Sequence, residues 1–552
     1  MKLIALLSLS LTLFFTGYGE SIAKPEPDLL VPKIELAGSK VQPFVYAKTI
    51  ALPKLLQKAT MIAQAIRPNP ENAAIPLMAG TALGDPSLVS VDPKRPVSFF
   101  LFDVFEDDPV FVLVAKLKQD SPIRKTLEGA DFTIADKDGW TLATQTPKLF
   151  NQVKDWSALL AFARVAPSTD VEFGVRLDPM RKHLQKIKDA INEGLAGSPF
   201  EEDTQTSLGK VIEVALDEVA TMDSMKINLL LSNQEIITRT TFAAQKGTAL
   251  AKLFSTKAGG GKVSAAQYLE PGGWMTMVLD WNMENFMAYY EHVGGKLKGS
   301  FEGEFKELLE RLDTLTVDWT KAYGGPVAMR YDLAEKEGAM HFVQIGSTEL
   351  TPEAFAKMIT DYSALTQEMM EKIELFEEAG VKYKFKSGKG KPVKGIPTHR
   401  FSMKMEADPE LFPGGLPFSE MNYHFAVVDG HYVTTSDRKE LGRLIRSLKK
   451  GKSVKNSLAQ TLALQPGQMA RWSFDVGKYA EFVTGMTGVL DEESMQELVD
   501  GIRKLDLVPI TGSMSLGSGR FKSDVRIPLK TIKAGIGFME KAQAGATPQV
   551  PQ

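Results

Sequence analysis

A short apolar strand that runs into a capping residue and then an amphipathic helix recurs four times along this chain, and that recurrence limits the fold more than any other feature. The four openers are Phe44 to Thr49, Phe173 to Asp178, Met277 to Asp280 and Arg471 to Asp475. Asp178 is followed by Pro179, the order that starts helices, because the side-chain oxygen takes an orphan N–H and the proline ring presets φ. Matching landmarks also keep a nearly constant offset. From Thr49 to Asp280, and from Ser121-Pro122 to Thr351-Pro352, it is about 230 residues. From the Asp138-Gly139 turn to the Asp429-Gly430 turn, from Asp178 to Asp475, and from the Asn233 turn to the Ser518 turn, it rises to about 285 to 297. One insertion explains the rise. The expected fold is therefore α+β, built as two divergent related halves of antiparallel hairpins packed with capped amphipathic helices.

The two Asp-Gly dipeptides are the sharpest local signals. Each lies between alternating apolar runs, and a two-residue hairpin turn needs positive φ at both central positions. A helix should follow each turn. Thr146-Pro147 starts the first, and Asp437 with Glu440 three residues on reads as a capping box for the second, whose buried stripe is Leu441, Leu444, Ile445 and Leu448.

These signals divide the chain into a signal peptide at 1–23, a flexible proline-rich segment at 24–40, a first half at 41–258 and a glycine linker at 259–261. A second half follows at 262–541, with the insertion near 361–410, and then a small, polar tail at 542–552. The signal peptide is read from Met1-Lys2, the apolar run Leu3 to Phe15 and the small-residue triplet Ser21-Ile22-Ala23. The mature chain is expected to begin near Lys24, exported and soluble, in the periplasm or outside the cell.

Cysteine is absent, which excludes disulfides, thiol nucleophiles, thiolate metal sites and the lipidated cysteine of a lipoprotein. The formal net charge of -3 supplies no broad positive field, so nucleic acid is not expected as a partner. Charge is instead concentrated locally. Lys382, Lys384, Lys386, Lys389, Lys391 and Lys394 surround Ser387-Gly388-Lys389-Gly390, whose glycines read as a hairpin tip. Lys382, Lys384 and Lys386 alternate and so share one strand face. They are the candidate contact for an anionic polymer, a membrane surface or an envelope protein; the plainer alternative is a solvated or edge-protecting face.

Other chemistry finds little footing. His424 and His431 flank one turn, but pairing His431 with Val428 leaves His424 roughly 13 Å along its strand, too far for a shared metal. Gly512 to Gly519 lacks the nucleophile-elbow pattern, and Ser447-Leu448-Lys449-Lys450 reads as an exposed basic helix face. Asp103, Glu106, Asp107 and Asp108 suit a solvated loop better than a calcium site. Met283, Phe286, Met287 and Tyr290 have the spacing to line an apolar pocket. No catalytic residue, cofactor or metal is assigned.

With the signal peptide, the Asp92-Pro93-Lys94-Arg95-Pro96 lead into the strand Val97 to Phe102, the Asp138-Gly139-Trp140 hairpin and the opener at Asp178, the chain resembles the uncharacterised large exported proteins of planctomycete-like bacteria. That resemblance implies no activity and carries over no residue. The expected role is a non-catalytic binding or scaffold protein of the cell envelope; a carrier of an apolar ligand or lipid, and an exported hydrolase, are the alternatives.

Overall fold

The computed structural model describes residues 31–102, 110–197, 202–256, 263–280, 282–300, 303–333, 340–372, 381–407, 420–487, 499–505 and 507–545. The expected signal peptide, Gly259-Gly260-Gly261, the acidic run Asp103 to Asp108, residues 373–380 of the expected insertion and the last residues of the tail lie outside them.

The fold is α+β, with every sheet pairing antiparallel. In chain order the first strands are β1 Pro43–Thr49, β2 Val97–Phe102, β3 Phe111–Ala115, β4 Thr133–Lys137, β5 Trp140–Thr144, β6 Val171–Arg176, β7 Met222–Leu231 and β8 Glu235–Ala244. Then come β9 Met275–Leu279, β10 Val327–Leu333, β11 Met340–Ser347, β12 Val381–Val393, β13 Ile396–Ala407, β14 Glu420–Val428, β15 His431–Thr435, β16 Gln468–Phe474, β17 Ile510–Gly517 and β18 Arg520–Pro528. Four helices matter below: α1 Pro122–Gly129, α2 Ser157–Arg164, α3 Pro352–Lys372 and α4 Arg438–Lys449.

The chain forms two compact units. The first takes the described residues up to Ala251 together with Gly519–Lys533. Its sheet runs β4-β5-β3-β2-β1-β6-β7-β8-β18. Phe100, Val112, Val114 and Leu142 from the strands meet Trp156, Leu159 and Leu160 of α2 and the turn before it in one buried cluster. Strand β18 is tied to β8 by Arg239–Asp524 and Arg526–Glu235, each at 3.3 Å.

The second unit takes Lys252–Ser518 and the residues from Ala534. Its sheet runs β12-β13-β14-β15-β11-β10-β9-β16-β17. Alternation along β14 sends Phe425 and Val427 to one face, against Phe355, Met358 and Ile359 of α3. Ala426 and Val428 go to the other, against Leu441, Leu444, Ile445 and Leu448 of α4. All four α4 side chains are buried, worth about 2 kcal/mol each relative to exposure.

The turns follow local chemistry. Asp138-Gly139 has φ of 51° and 73°, and Asp429-Gly430 has 49° and 73°, the geometry that Asp-Gly tolerates and most dipeptides resist. The lysine hairpin corrects one expectation. Gly388 and Gly390 are not its tip; they lie inside β12, paired with Arg400 and Thr398. The turn is Lys394-Gly395, with φ of 51° and 77°. Only an X-Gly pair with positive φ at both positions closes this ribbon, and the Gly-Lys-Gly run upstream keeps an extended backbone. The capping box is also corrected. Asp437 caps α4 by accepting from the Lys439 N–H at 2.8 Å, but Glu440 turns away to Arg330 and Arg443 instead of reaching back to the cap.

Two glycines open space for tyrosines. Gly174 on β6 lies directly across from Tyr46 on β1, and Gly346 on β11 across from Tyr432 on β15. In each pair the ring occupies the place where a Cβ would stand, an arrangement in which the aromatic covers the strand that glycine leaves bare.

Candidate polyanion-binding surface

The sequence Lys-Tyr-Lys-Phe-Lys from 382 to 386 builds the surface by alternation alone. Odd positions face α3: Tyr383 and Phe385 join Phe401 and Tyr423 in a row of rings with centroids 5.9 to 6.3 Å apart. Gln367 of α3 fixes the register by accepting from the Phe385 N–H at 2.7 Å and donating to the Tyr383 carbonyl at 3.2 Å. With the aromatic face anchored, Lys382, Lys384 and Lys386 are turned to the opposite, exposed side.

That side is shared with Lys404 and Arg400 of β13, since Lys384 pairs with Lys404 and Gly388 with Arg400. Lys384 and Lys404 bind Glu406 at 2.8 and 3.0 Å, and these two hydrogen bonds hold its carboxyl down at about 2. Arg400 reaches Asn422 and, at 3.7 Å, Glu420. The remaining candidates do not join this row. Lys389 pairs with His399, which faces α3, so it belongs to the aromatic side of the ribbon. Lys391 and Lys394 lie at the turn end.

The turn end meets helix α4. The guanidinium of Arg438 donates to the carbonyls of Lys391 and Pro392 at 3.3 and 3.5 Å, and the ammonium of Lys449 to the carbonyl of Lys394 at 3.4 Å. Val393 and Ile396 pack against the apolar cluster beneath the helix. The stripe Leu441, Leu444, Ile445 and Leu448 faces inward, so Arg438, Lys439, Arg446, Lys449 and Lys450 are exposed. His424, on the same face between Arg400 and Arg438, is pushed below 6.5 by burial and then by those two cations.

The exposed basic helix was legible as such from Ser447 to Lys450. Its union with the lysine ribbon was not, because nothing in the order of residues says that α4 lies against a turn some fifty positions earlier.

The histidine geometry is as the strand arithmetic requires. His431 pairs with Val428 and His424 with Thr435, and among the described residues no group of three or more His, Asp or Glu could hold a metal ion. Ser518-Gly519 is a hairpin turn with φ of 53° and 74°. A cavity of about 850 Å³ lies beside Met283 and Met287, but Glu284, Glu291 and Lys321 share its wall, and Phe286 and Tyr290 do not line it. A smaller one, about 370 Å³, is lined by Arg471, Trp472, Asp475 and Lys478; the Asp475 carboxylate accepts from the Lys478 N–H at 3.1 Å and so serves as a helix cap.

In the first unit, Lys48, Glu172 and Lys226 form a buried ionic group across β1, β6 and β7. Lys226 lies 3.1 Å from Glu172, which also accepts from the Tyr46 hydroxyl at 2.7 Å. Lys48 donates to the carbonyls of Phe162 and Val165 at 2.9 and 3.0 Å and stands 3.6 Å over the Phe162 ring. These contacts hold α2 to the sheet, a positioning task for which sequence order gave no sign.

No family model matches the chain, and comparison with curated proteins and with solved structures yields no match. Among the described residues, no helix is long and apolar enough to cross a membrane.

Proposed function

We propose that this is an exported binding or scaffold protein of the cell envelope that contacts an anionic partner through the basic face of its second unit. The observation that carries the reading is the ribbon itself: an aromatic face anchored on α3 and a cationic face turned outward. Alternation is common to half-buried strands; what sets this ribbon apart is that its outer face carries charge of nearly one sign. Residues 381–407 hold eight lysines and arginines against one acidic residue, in a chain whose formal net charge is -3. The resemblance to exported planctomycete-like proteins and the signal-peptide pattern at 1–23 support the location. A carrier role is supported less, because the cavity beside Met283 has acidic and cationic groups in its wall.

The same reading includes an internal duplication. Strands β4, β5, β3, β2, β1, β6 and β7 stand in the first sheet in the succession that β14, β15, β11, β10, β9, β16 and β17 follow in the second. Helix α1 follows β3 as α3 follows β11. The β12–β13 ribbon is then the insertion, added at the sheet edge beyond β14. Native mass spectrometry of protein purified from its source tests the function, with a retained acidic ligand expected. N-terminal sequencing tests export: a start at Lys24 or a near neighbour is expected, and an intact Met1 on a membrane-bound form would reject it.

A further inference from the structure

We propose that the junction of helix α4 with the Lys394-Gly395 turn is the docking surface for a linear acidic polysaccharide, whose anionic groups lie across cations from both elements. The inference rests on the binding-protein reading and gives it a ligand class and a place. Residues 438–455 carry eight lysines and arginines against one acidic residue, the same imbalance as the ribbon. Their single acid, Glu440, is spent on Arg330 and Arg443 in a mostly buried pair. On the strand face, Lys384 and Lys404 share Glu406, and Arg400 has Glu420. At the junction the situation differs: among the described residues, Lys391, Lys394, Arg438, Arg446, Lys449 and Lys450 form no ion pair.

The hydrogen bonds from Arg438 and Lys449 to ribbon carbonyls bring helix cations beside the turn lysines, and among the described residues none of these cations is held in an ion pair that offsets their repulsion. A ligand that brings several negative groups relieves that repulsion at once. A polymer fits better than a bilayer. Contact with a bilayer draws on buried apolar area as well as on charge, and among the described residues the large exposed apolar ones, Leu77, Met78, Val89, Val165, Val219, Tyr479 and Val508, are not part of the ribbon, its turn or α4. Lys449 and Lys450, three and four positions after Arg446 at the end of α4 and so each about 5 to 6 Å from it, suit an extended chain of repeating charge.

The test is titration calorimetry of the full chain with sodium polygalacturonate over a sodium chloride series. Two triple variants are compared, Arg446→Gln/Lys449→Gln/Lys450→Gln at the junction and Lys382→Gln/Lys384→Gln/Lys386→Gln on the strand face, each checked for folding by circular dichroism. The parent should bind, with log K falling linearly as log salt rises. The junction variant should bind at least about tenfold more weakly at roughly 50 mM salt and lose roughly two from the slope; the strand variant should lose about threefold or less. If the strand variant loses as much as the junction variant, the junction assignment fails while the anion-binding reading stands. Tighter binding to phosphatidylglycerol vesicles or to duplex DNA than to polygalacturonate overturns the ligand class. A parent that binds none of the three overturns both.

Discussion

Replacing Lys48 by methionine should abolish a rise in stability with pH that the buried ionic group builds into the first unit. Lys48 is only 2% exposed, and burial pushes its ammonium from 10.5 down to about 8 despite the nearby Glu172. Between those two values the unfolded chain holds a proton that the folded chain has released, so folding is increasingly favoured as pH rises through the window. The full shift is worth about 3 kcal/mol, of which about 2 kcal/mol is recovered between roughly pH 7.5 and 9.5. Tyr46 sets the upper limit. Burial and Glu172 raise its pKa, so above roughly pH 10 it works in the opposite direction, its folded form keeping a proton that the unfolded form loses. Urea unfolding read by hydrogen exchange in peptides 43–49 and 171–176, at three pH values in that window, isolates the first unit. The stability difference between parent and Lys48→Met should move by about 2 kcal/mol in favour of the parent as pH rises. Two curves that stay parallel would show that the folded chain keeps the Lys48 proton through this window, and that burial does not depress its pKa.

Three further outcomes are expected. Gly174→Ala should destabilise the first unit by about 2 kcal/mol in urea melts, since the new methyl group meets the Tyr46 ring; Gly346→Ala, whose Cβ would stand 2.7 Å from the Tyr432 hydroxyl, should do the same in the second. Gly395→Ala should cost about 1 kcal/mol and loosen amide protection along β12 and β13, whereas Gly388→Ala, with open space and an extended backbone, should change little. Nuclear magnetic resonance should find the free His424 titrating below 6.5, and saturating polygalacturonate should raise that value by offsetting Arg400 and Arg438; an unmoved value would place the polymer elsewhere.

What the residue order revealed is governed by range. The Asp-Gly turns at 138 and 429 were readable because positive φ is a demand met by the turn residues themselves. The α4 stripe was readable because its period is intrinsic to one helix. The Lys394-Gly395 turn was missed in favour of a richer glycine run, for which pairing across the ribbon, not composition, is decisive. Lys48, Glu172 and Lys226 look like ordinary surface charges in sequence; only the adjacency of β1, β6 and β7 buries them together. The same limit hid the joining of α4 to the ribbon, which depends on β12 and β13 being added beside β14.

The pairing of β18 with β8 has a consequence for how the protein is made. The first unit is begun first but completed late: the strand that covers β8 arrives only after Lys252–Ser518 of the second unit has been synthesised. Until then Ile236, Ile237 and Thr238 belong to an open edge, with backbone donors and acceptors available to any passing strand. Chains cut short anywhere before Arg520 would carry that sticky edge permanently, marking incomplete product for proteolysis or aggregation. Chains that reach Pro528 bury the mark, so closure of this edge reports that synthesis has passed β18.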